Sequence, residues 1–483
     1  MKKIYIISLL VIVIIGGIGF YFFNKKGLST GYADAKSAPC DCETSWFPHE
    51  QTPAPKEGDG SPFDSQTTTN CDFHQWSWQK FLWLTKPLQS GNPLFLDSLR
   101  VVDPQMERVN PQFGLKLVLS SYNQAGFDEG ILVSNPKVNS EKRAGGDTVF
   151  YSIHINDIFM KKAVLAASMI NSGKLPYSNL EAFPVGSLEL KVSWINVNSI
   201  AKEKRADYFT TKAAVQNKKN KYEIKTMALL GMHVVGVVKN HPEFIWATFE
   251  HKEMAPVYDW KNNSVTSEKE MLFYEKGTTS GVQGITLKGH NPLVPNKAFV
   301  LYEYGVPRVL DSSSFMVTSQ TEPVNFNNID NLNKCVQANL KDVFKNYFYN
   351  GAIWLNTSGM SPEKQADTIV KSAIASVLPG SLARGSSNLA NVTMETYTQT
   401  FQDDVHTINA TNLVNCFTCH QSQNSDTIRG IGKSPLYLSH VFESYLFMTK
   451  PNLKNQNNAK INRIEEIRLL KIAQLKKIVK AQE

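Results

Sequence analysis

Residues 416–420 read Cys-Phe-Thr-Cys-His, and only 63 residues follow His420 in a chain of 483. On one helical turn, positions i, i+3 and i+4 share a face. Two thiols at that spacing can bond the two vinyl groups of one haem as thioethers, and the next residue then offers an imidazole to the iron. The motif therefore predicts one covalent haem c per chain, attached at Cys416 and Cys419, with His420 on the iron. A zinc site would need two more ligands at suitable spacing, and no second CxxC and no HxxxH occurs. A disulfide redox pair would want a thioredoxin-like βαβ setting, which is not apparent. About half of the 63 residues are a basic tail. The haem must then be covered by sequence from upstream, built into a larger domain rather than carried on a detachable one.

The sixth iron position is open from sequence. Met448 lies 28 residues after His420, in an apolar stretch, and Met394 precedes it in LANVTMETY. His406 and His440 are also near in sequence. The choice bears on function, because Met/His ligation raises the potential and suits electron transfer, whereas an open site suits small-ligand or peroxide chemistry.

Residues 4–23 are 20 residues without a charge, flanked by lysines. That is the length of a membrane-spanning helix. An uncleaved anchor competes with a signal peptide cut near residues 33–38, and the length favours the anchor. Haem c is attached outside the cytoplasm, so residues 27–483 are expected there: anchored in the inner membrane and facing the periplasm. Residues 27–70 are rich in Pro, Gly, Ser and Thr and read as a flexible tether.

The formal charge of +8 tempts a nucleic-acid reading, but its distribution argues against one. Residues 1–26 carry four lysines and no acid, and residues 450–483 carry nine bases against three acids. The rest holds 38 bases and 40 acids. The expected partners are a redox protein and the membrane through the N-terminal helix. The tail helix, 459–479, suits anionic lipid, an acidic partner or plain solvation.

Between the ends, residues 71–88 form an aromatic helix candidate whose Trp76, Trp78, Phe81 and Trp83 read as core. Short apolar runs at 115–119, 148–155, 186–197, 227–238, 244–250 and 298–304 read as strands. Helices are expected at 158–172, 198–215, 331–349, 362–377 and 389–410. The predicted fold class is α+β. A β-rich body over 71–330 leads into a mainly helical haem-binding part over 331–450 and the basic tail, 451–483. A single N-terminal transmembrane helix, 1–26, precedes them.

Outside the haem motif, MALLGMHVVGVVKNHPEFIWATFEHKEMAP is the most pointed stretch. A hairpin centred on His241 would pair position 233 with 249 and 231 with 251. His233 and His251 would then share one face, with Glu250 on the other. A slip of one residue would separate the two histidines. The pair could serve as a metal site, an acid–base pair or haem-edge contacts, with Glu250 as a further catalytic candidate. Two structural histidines are the plain alternative. Of the remaining cysteines, Cys71 could pair with Cys40 or Cys42, and Cys335 is the fourth; spacing does not fix the pairing.

The segments QWSWQKFLWLTKP, HPEFIWATFEHKEMAP, LANVTMETYTQ and CFTCH, in that order, resemble a poorly characterised bacterial cytochrome c family. Its members share W-x-x-F, W-A-T-F-E-H and L-A-N-x-T-x-E-T segments and a late CxxCH. The resemblance spans about residues 75–447. The family usually runs on through an Asp-Asn turn where this chain has EHKEMAP. The resemblance implies a monohaem c-type protein and places His420, His251, Asn391 and Glu395 in shared motifs; it implies no substrate.

The leading expectation is a membrane-tethered, extracytoplasmic monohaem cytochrome that transfers electrons. The alternatives are a haem peroxidase or oxidoreductase with an open distal site, and a binding or assembly module with a structural or sensory haem.

Overall fold

Most of the predicted strands join one nine-stranded sheet in the structure, a computed structural model. It describes residues 40–65, 68–120, 132–138, 146–174, 181–217, 219–255, 264–274, 276–277, 279–281, 285–287, 325–357, 360–371, 383–385, 391–394, 406–408, 416–420, 422 and 434–449.

The strands are β1 (Arg100–Val102), β2 (Val118–Leu119), β3 (Phe150–Ile155), β4 (Leu188–Asn196), β5 (Thr210–Gln216), β6 (Tyr222–Val238), β7 (His241–His251), β8 (Ser264–Thr266), β9 (Thr279–Gly281), β10 (Ile285–Leu287), β11 (Tyr347–Leu355), β12 (Ala383–Gly385) and β13 (His406–Ile408). The main sheet runs β1-β3-β4-β6-β7-β11-β12, with β5 also on β6 and β2 on β5. Its pairs are antiparallel except β2–β5, which is parallel. The small ribbons β8–β9 and β10–β13 stand apart from it. Among the described residues the α-helices are α1 (Asn70–Thr85), α2 (Leu94–Ser98), α3 (Asp157–Asn171), α4 (Asn325–Asn339), α5 (Pro362–Lys371), α6 (Cys416–Cys419) and α7 (His440–Met448).

Side chains alternate across a strand, so each strand serves two faces. On the first face, Leu190, Val192 and Trp194 of β4, Met232 and Val234 of β6, and Ala247 and Phe249 of β7 form one core with Trp76, Trp78 and Phe81 of α1 and Leu332 and Val336 of α4. Phe81 stacks on Phe249 at 4.2 Å. The second face carries two separate apolar clusters. The near cluster joins Val235, Val237, Phe244, Trp246 and Ile353 to Phe159 of α3, Phe417 of α6 and Val441 and Phe442 of α7. The far cluster joins Tyr151, Ile195, Ala228 and Leu230 to Val392 and Met394.

The described residues, from Cys40 onward, belong to one compact unit. The predicted tether gives way to structure there, because two disulfides hold it: Cys40–Cys71 fastens it to α1 and Cys42–Cys335 to α4. A capping box starts α1: Thr69 Oγ1 accepts from Asp72 N–H at 3.3 Å and the Asp72 carboxylate accepts from Thr69 N–H at 2.7 Å.

The predicted fold class is overturned. The haem-motif half of the chain is not a mainly helical part, since β11 and β12 extend the same sheet. Helix α4 ends at Asn339, Asp342 accepts from Phe344 N–H at 3.0 Å, and the aromatic run YFYNGAIWL then pairs with β7. Residues 198–215 form 3₁₀ turns and β5 rather than a helix. The stretch 389–410 holds a turn at 391–394 and β13 in its described portions. No helix among the described residues is long and apolar enough to cross a membrane. The predicted transmembrane helix is not seen; residues 1–39, the 298–304 strand and the 451–483 tail lie outside the described residues.

Gly231 lets the 391–394 turn dock on the sheet. A Cβ there would lie 2.5 Å from Thr393 Oγ1 and 2.9 Å from the Phe249 carbonyl oxygen. Gly231→Ala should cost about 1–3 kcal/mol through overpacking. Urea unfolding reads this as a lower midpoint at unchanged slope; an unchanged midpoint would show that the turn does not dock.

Candidate haem site

Helix α6 places the motif against the near cluster: Phe417 is buried in it and half-buried Cys416 borders it. The turn closes when His420 N–H donates to the Cys416 carbonyl at 2.8 Å. The His420 ring then meets three groups. Its Nδ1 lies 2.7 Å from the Leu438 carbonyl oxygen. The Trp246 ring of β7 lies 4.1 Å away, centroid to centroid. The His440 ring, first residue of α7, stacks on it at 4.0 Å and 18°.

The Leu438 contact fixes the chemistry of the imidazole. A carbonyl only accepts, so Nδ1 carries a proton and donates it; in the neutral ring this tautomer puts the lone pair on Nε2. Metal-bound histidines commonly hold the other ring nitrogen this way. Leu438 is supplied by the 3₁₀ turn Pro435–Leu438, and the Ser439 hydroxyl caps α7 by accepting from Phe442 N–H at 3.2 Å. The donor set therefore fits a haem c: a thiol at Cys416, a second Cys one turn on, and an imidazole oriented through its Nδ1 contact with Leu438.

The candidates for the sixth position are dispersed. His440 lies face to face with His420, so it stands beside that ring rather than across an iron from it. Met448 is eight residues further along α7, about 12 Å by helical rise. Met394 is fully buried in the far cluster, apart from Cys416 and Phe417. His406 pairs with Leu287 in the β10–β13 ribbon.

The predicted histidine pair does not form. β6 pairs with β7 so that His233 faces Thr248 and Gly231 faces Glu250, one residue off the register expected from a turn at His241. The turn instead sits at Lys239–Asn240, where Asn240 at φ 62° takes the left-handed conformation Asn tolerates. An irregularity between Gly236 and Val238 then resets the ladder, with Pro242 and Phe244 on the bulged strand. His233 and Glu250 consequently share the second face, and His251 goes to the first.

His251 is structural. Its Nε2–H donates to the Asp207 carbonyl at 3.0 Å, its Nδ1 accepts from Glu253 N–H at 3.2 Å, and its ring stacks on Tyr208 at 3.7 Å. Burial drives its pKa from 6.5 down to about 3. Glu250 accepts from Val392 N–H at 3.1 Å and so helps seat the 391–394 turn. Asn391 of the shared motif donates to Thr248 Oγ1 at 2.8 Å and to the Phe249 carbonyl at 2.9 Å; Glu395 lies outside the described residues. His233 is half-buried, and burial first and the Lys191 ammonium second push its pKa to about 3. It is the one of the three catalytic candidates that stays in a strip between the two clusters of the second face.

Sequence reasoning named WATFEH as a family segment but gave Trp246 no role. It missed Lys191 altogether. The signal was there in LELKVSWIN, a strand with charges at alternate positions in a chain whose second face is also covered. No protein-family model, curated protein or solved structure matches this chain.

Burial likewise holds the His154 pKa at about 3. Between pH 6.5 and about 3 the unfolded chain binds protons at His154 and His251 that the native state refuses. Native stability therefore falls as pH falls, by up to about 1.4 kcal/mol per pH unit for each histidine. Urea unfolding from pH 7 to pH 5 should follow this, with a shallower pH slope in His251→Gln. Parallel profiles for the two proteins would contradict it.

Proposed function

We propose that this chain is an extracytoplasmic monohaem c-type cytochrome that transfers electrons, in keeping with the cytochrome c family its motifs resemble. The observation that carries the reading is the hydrogen bond from His420 Nδ1 to Leu438, at 2.7 Å, immediately after the Cys416–Cys419 turn. It would orient His420 as an iron ligand beside the two cysteines that would hold the group. Cys416 and Cys419 would hold the cofactor and His420 would ligate its iron. Bound there, the haem would supply one-electron chemistry.

The protein's own residues do the rest. Leu438 orients the imidazole. Trp246 and His440 flank its ring and limit its rotation. The near cluster excludes water from that side. Two disulfides in a body of this size suit an oxidising compartment. The apolar run 4–23 would serve export. A redox protein would exchange electrons with the cofactor edge.

A second reading, an oxidoreductase with an open distal site, has one observation in its favour: half-buried His233 on the sheet face that carries Trp246. The ferric spectrum separates the two. Low-spin iron fits the carrier and high-spin iron fits the enzyme.

Expression in a host competent for c-type maturation should give one thioether-type pyridine haemochrome per chain, absent from Cys416→Ala/Cys419→Ala. The bound cofactor should titrate reversibly as a one-electron couple. Protein that matures without covalent haem would overturn the proposal.

A further inference from the structure

The far cluster reaches the surface at a cavity of about 530 Å³. Ile200, Tyr208, Met271 and Leu272 are buried members of that cluster and line the cavity, with Val138 packed beside them. The residues that line it belong to neither α6, α7 nor the near cluster, so it is separate from the haem motif. Its size is that of a small-molecule site, and an apolar floor with a few polar groups is the usual make-up of one.

One polar group stands out on that floor. Tyr208 is 4% exposed, and its ring stacks on His251 at 3.7 Å. Its hydroxyl has no hydrogen-bond partner among the described residues, yet it is not one of the polar atoms sealed from solvent. In a side chain otherwise enclosed, the opening is the cavity that the residue lines. Burial first, and then the neighbouring Tyr347, Glu253 and Asp207, raise the Tyr208 pKa well above its ordinary value. The phenol therefore stays protonated and offers a donor.

The rim adds more donors. Glu253 pairs with Lys269 at 2.9 Å and with Lys204 at 3.7 Å, so one carboxylate holds two ammoniums. Both lysines are about half exposed, at 58% and 45%. Such exposed pairs are weak, and each ammonium keeps N–H groups to spare. The carboxylate of Glu270 is already engaged: it accepts from Asn135 Nδ2 at 2.7 Å and Lys276 N–H at 3.2 Å, and it pairs with Lys137 at 3.7 Å. The unused hydrogen-bonding capacity of the cavity is thus donor capacity. Among the described residues, exposed Glu203 is the one lining carboxylate without an ion pair, and it disfavours a second negative charge in a ligand.

We propose that this cavity binds a small monocarboxylate with an apolar body. The body lies on the floor of the far cluster. The carboxylate accepts from the Tyr208 hydroxyl and pairs with Lys204 and Lys269, which Glu253 gathers beside that tyrosine. Such a site would work with or without a haem at His420.

The test uses purified full-length protein and a matched set of probes, phenylacetate, phenethylamine and phenethyl alcohol, titrated by saturation-transfer NMR. Phenylacetate should bind saturably, about tenfold tighter than the amine or the alcohol, as a charge-assisted hydrogen bond would give. Phenylsuccinate, with its second carboxylate, should bind more weakly than phenylacetate. Tyr208→Phe keeps the ring on His251 and should weaken phenylacetate about tenfold. Lys204→Gln/Lys269→Gln changes only exposed side chains and should erase the preference for the acid over the alcohol; it decides alone if Tyr208→Phe fails to fold. No binding of any probe, or equal binding of acid, amine and alcohol, would overturn the proposal. Phenylacetate binding that every folded variant leaves unchanged would place the ligand elsewhere and overturn it too.

Discussion

The register between β6 and β7 is the constraint on which the rest of the molecule depends. Both strands are buried on two faces, so every residue in them is committed to one environment or the other. The pairing of Val235 with Trp246 turns the indole toward the haem motif, and the pairing of Gly231 with Glu250 leaves room for the 391–394 turn. The same pairing turns Ile245, Ala247 and Phe249 into the aromatic core under α1. A slip of one residue would exchange the two sets: Phe249 would meet the polar strip and Glu250 would enter the core. The turn at Asn240 and the irregularity beyond Gly236 define this register together, which gives the unusual backbone of Pro242–Phe244 a structural purpose.

From that ladder the site follows in steps. Trp246 provides a flat wall, and α3, α6 and α7 close around it through Phe159, Phe417 and Phe442. The 3₁₀ turn before α7 then presents the Leu438 carbonyl to His420. Charged and polar residues on the second face are tolerated because specific partners meet them, Ser439 at Glu189 and Thr393 at Ser193. The motif itself is four residues of helix with little core of its own. Its environment comes from β7, more than 160 residues upstream, and from α7 downstream.

Much of this was legible in the sequence. The strands around 148–155, 186–197 and 227–250 stand out because aromatic and β-branched residues cluster there, and the aromatic helix reads as core for the same reason. The Cys-Phe-Thr-Cys-His run is explicit in the sequence, and the structure sets its first turn as helix α6. Three things were not legible, each for a physical reason. The run 331–349 mixes helical spacing with an aromatic strand, and only pairing with β7 decides that Tyr347–Leu355 is extended. The register differs by one residue from that of a hairpin centred on His241, because the left-handed Asn240 supplies the turn and the ladder is irregular beyond Gly236. The disulfide pattern depends on α1 and α4 lying side by side, which spacing alone cannot tell.

The central claim is that Cys416 and Cys419 carry a haem whose iron rests on His420. Intact-mass spectrometry of the matured protein, followed by peptide mapping, tests it most directly. The account predicts a mass increase of one haem per chain, located on the peptide that contains residues 416–420. Unmodified thiols at Cys416 and Cys419, or a disulfide between them, in protein from a host that matures other c-type cytochromes would contradict it.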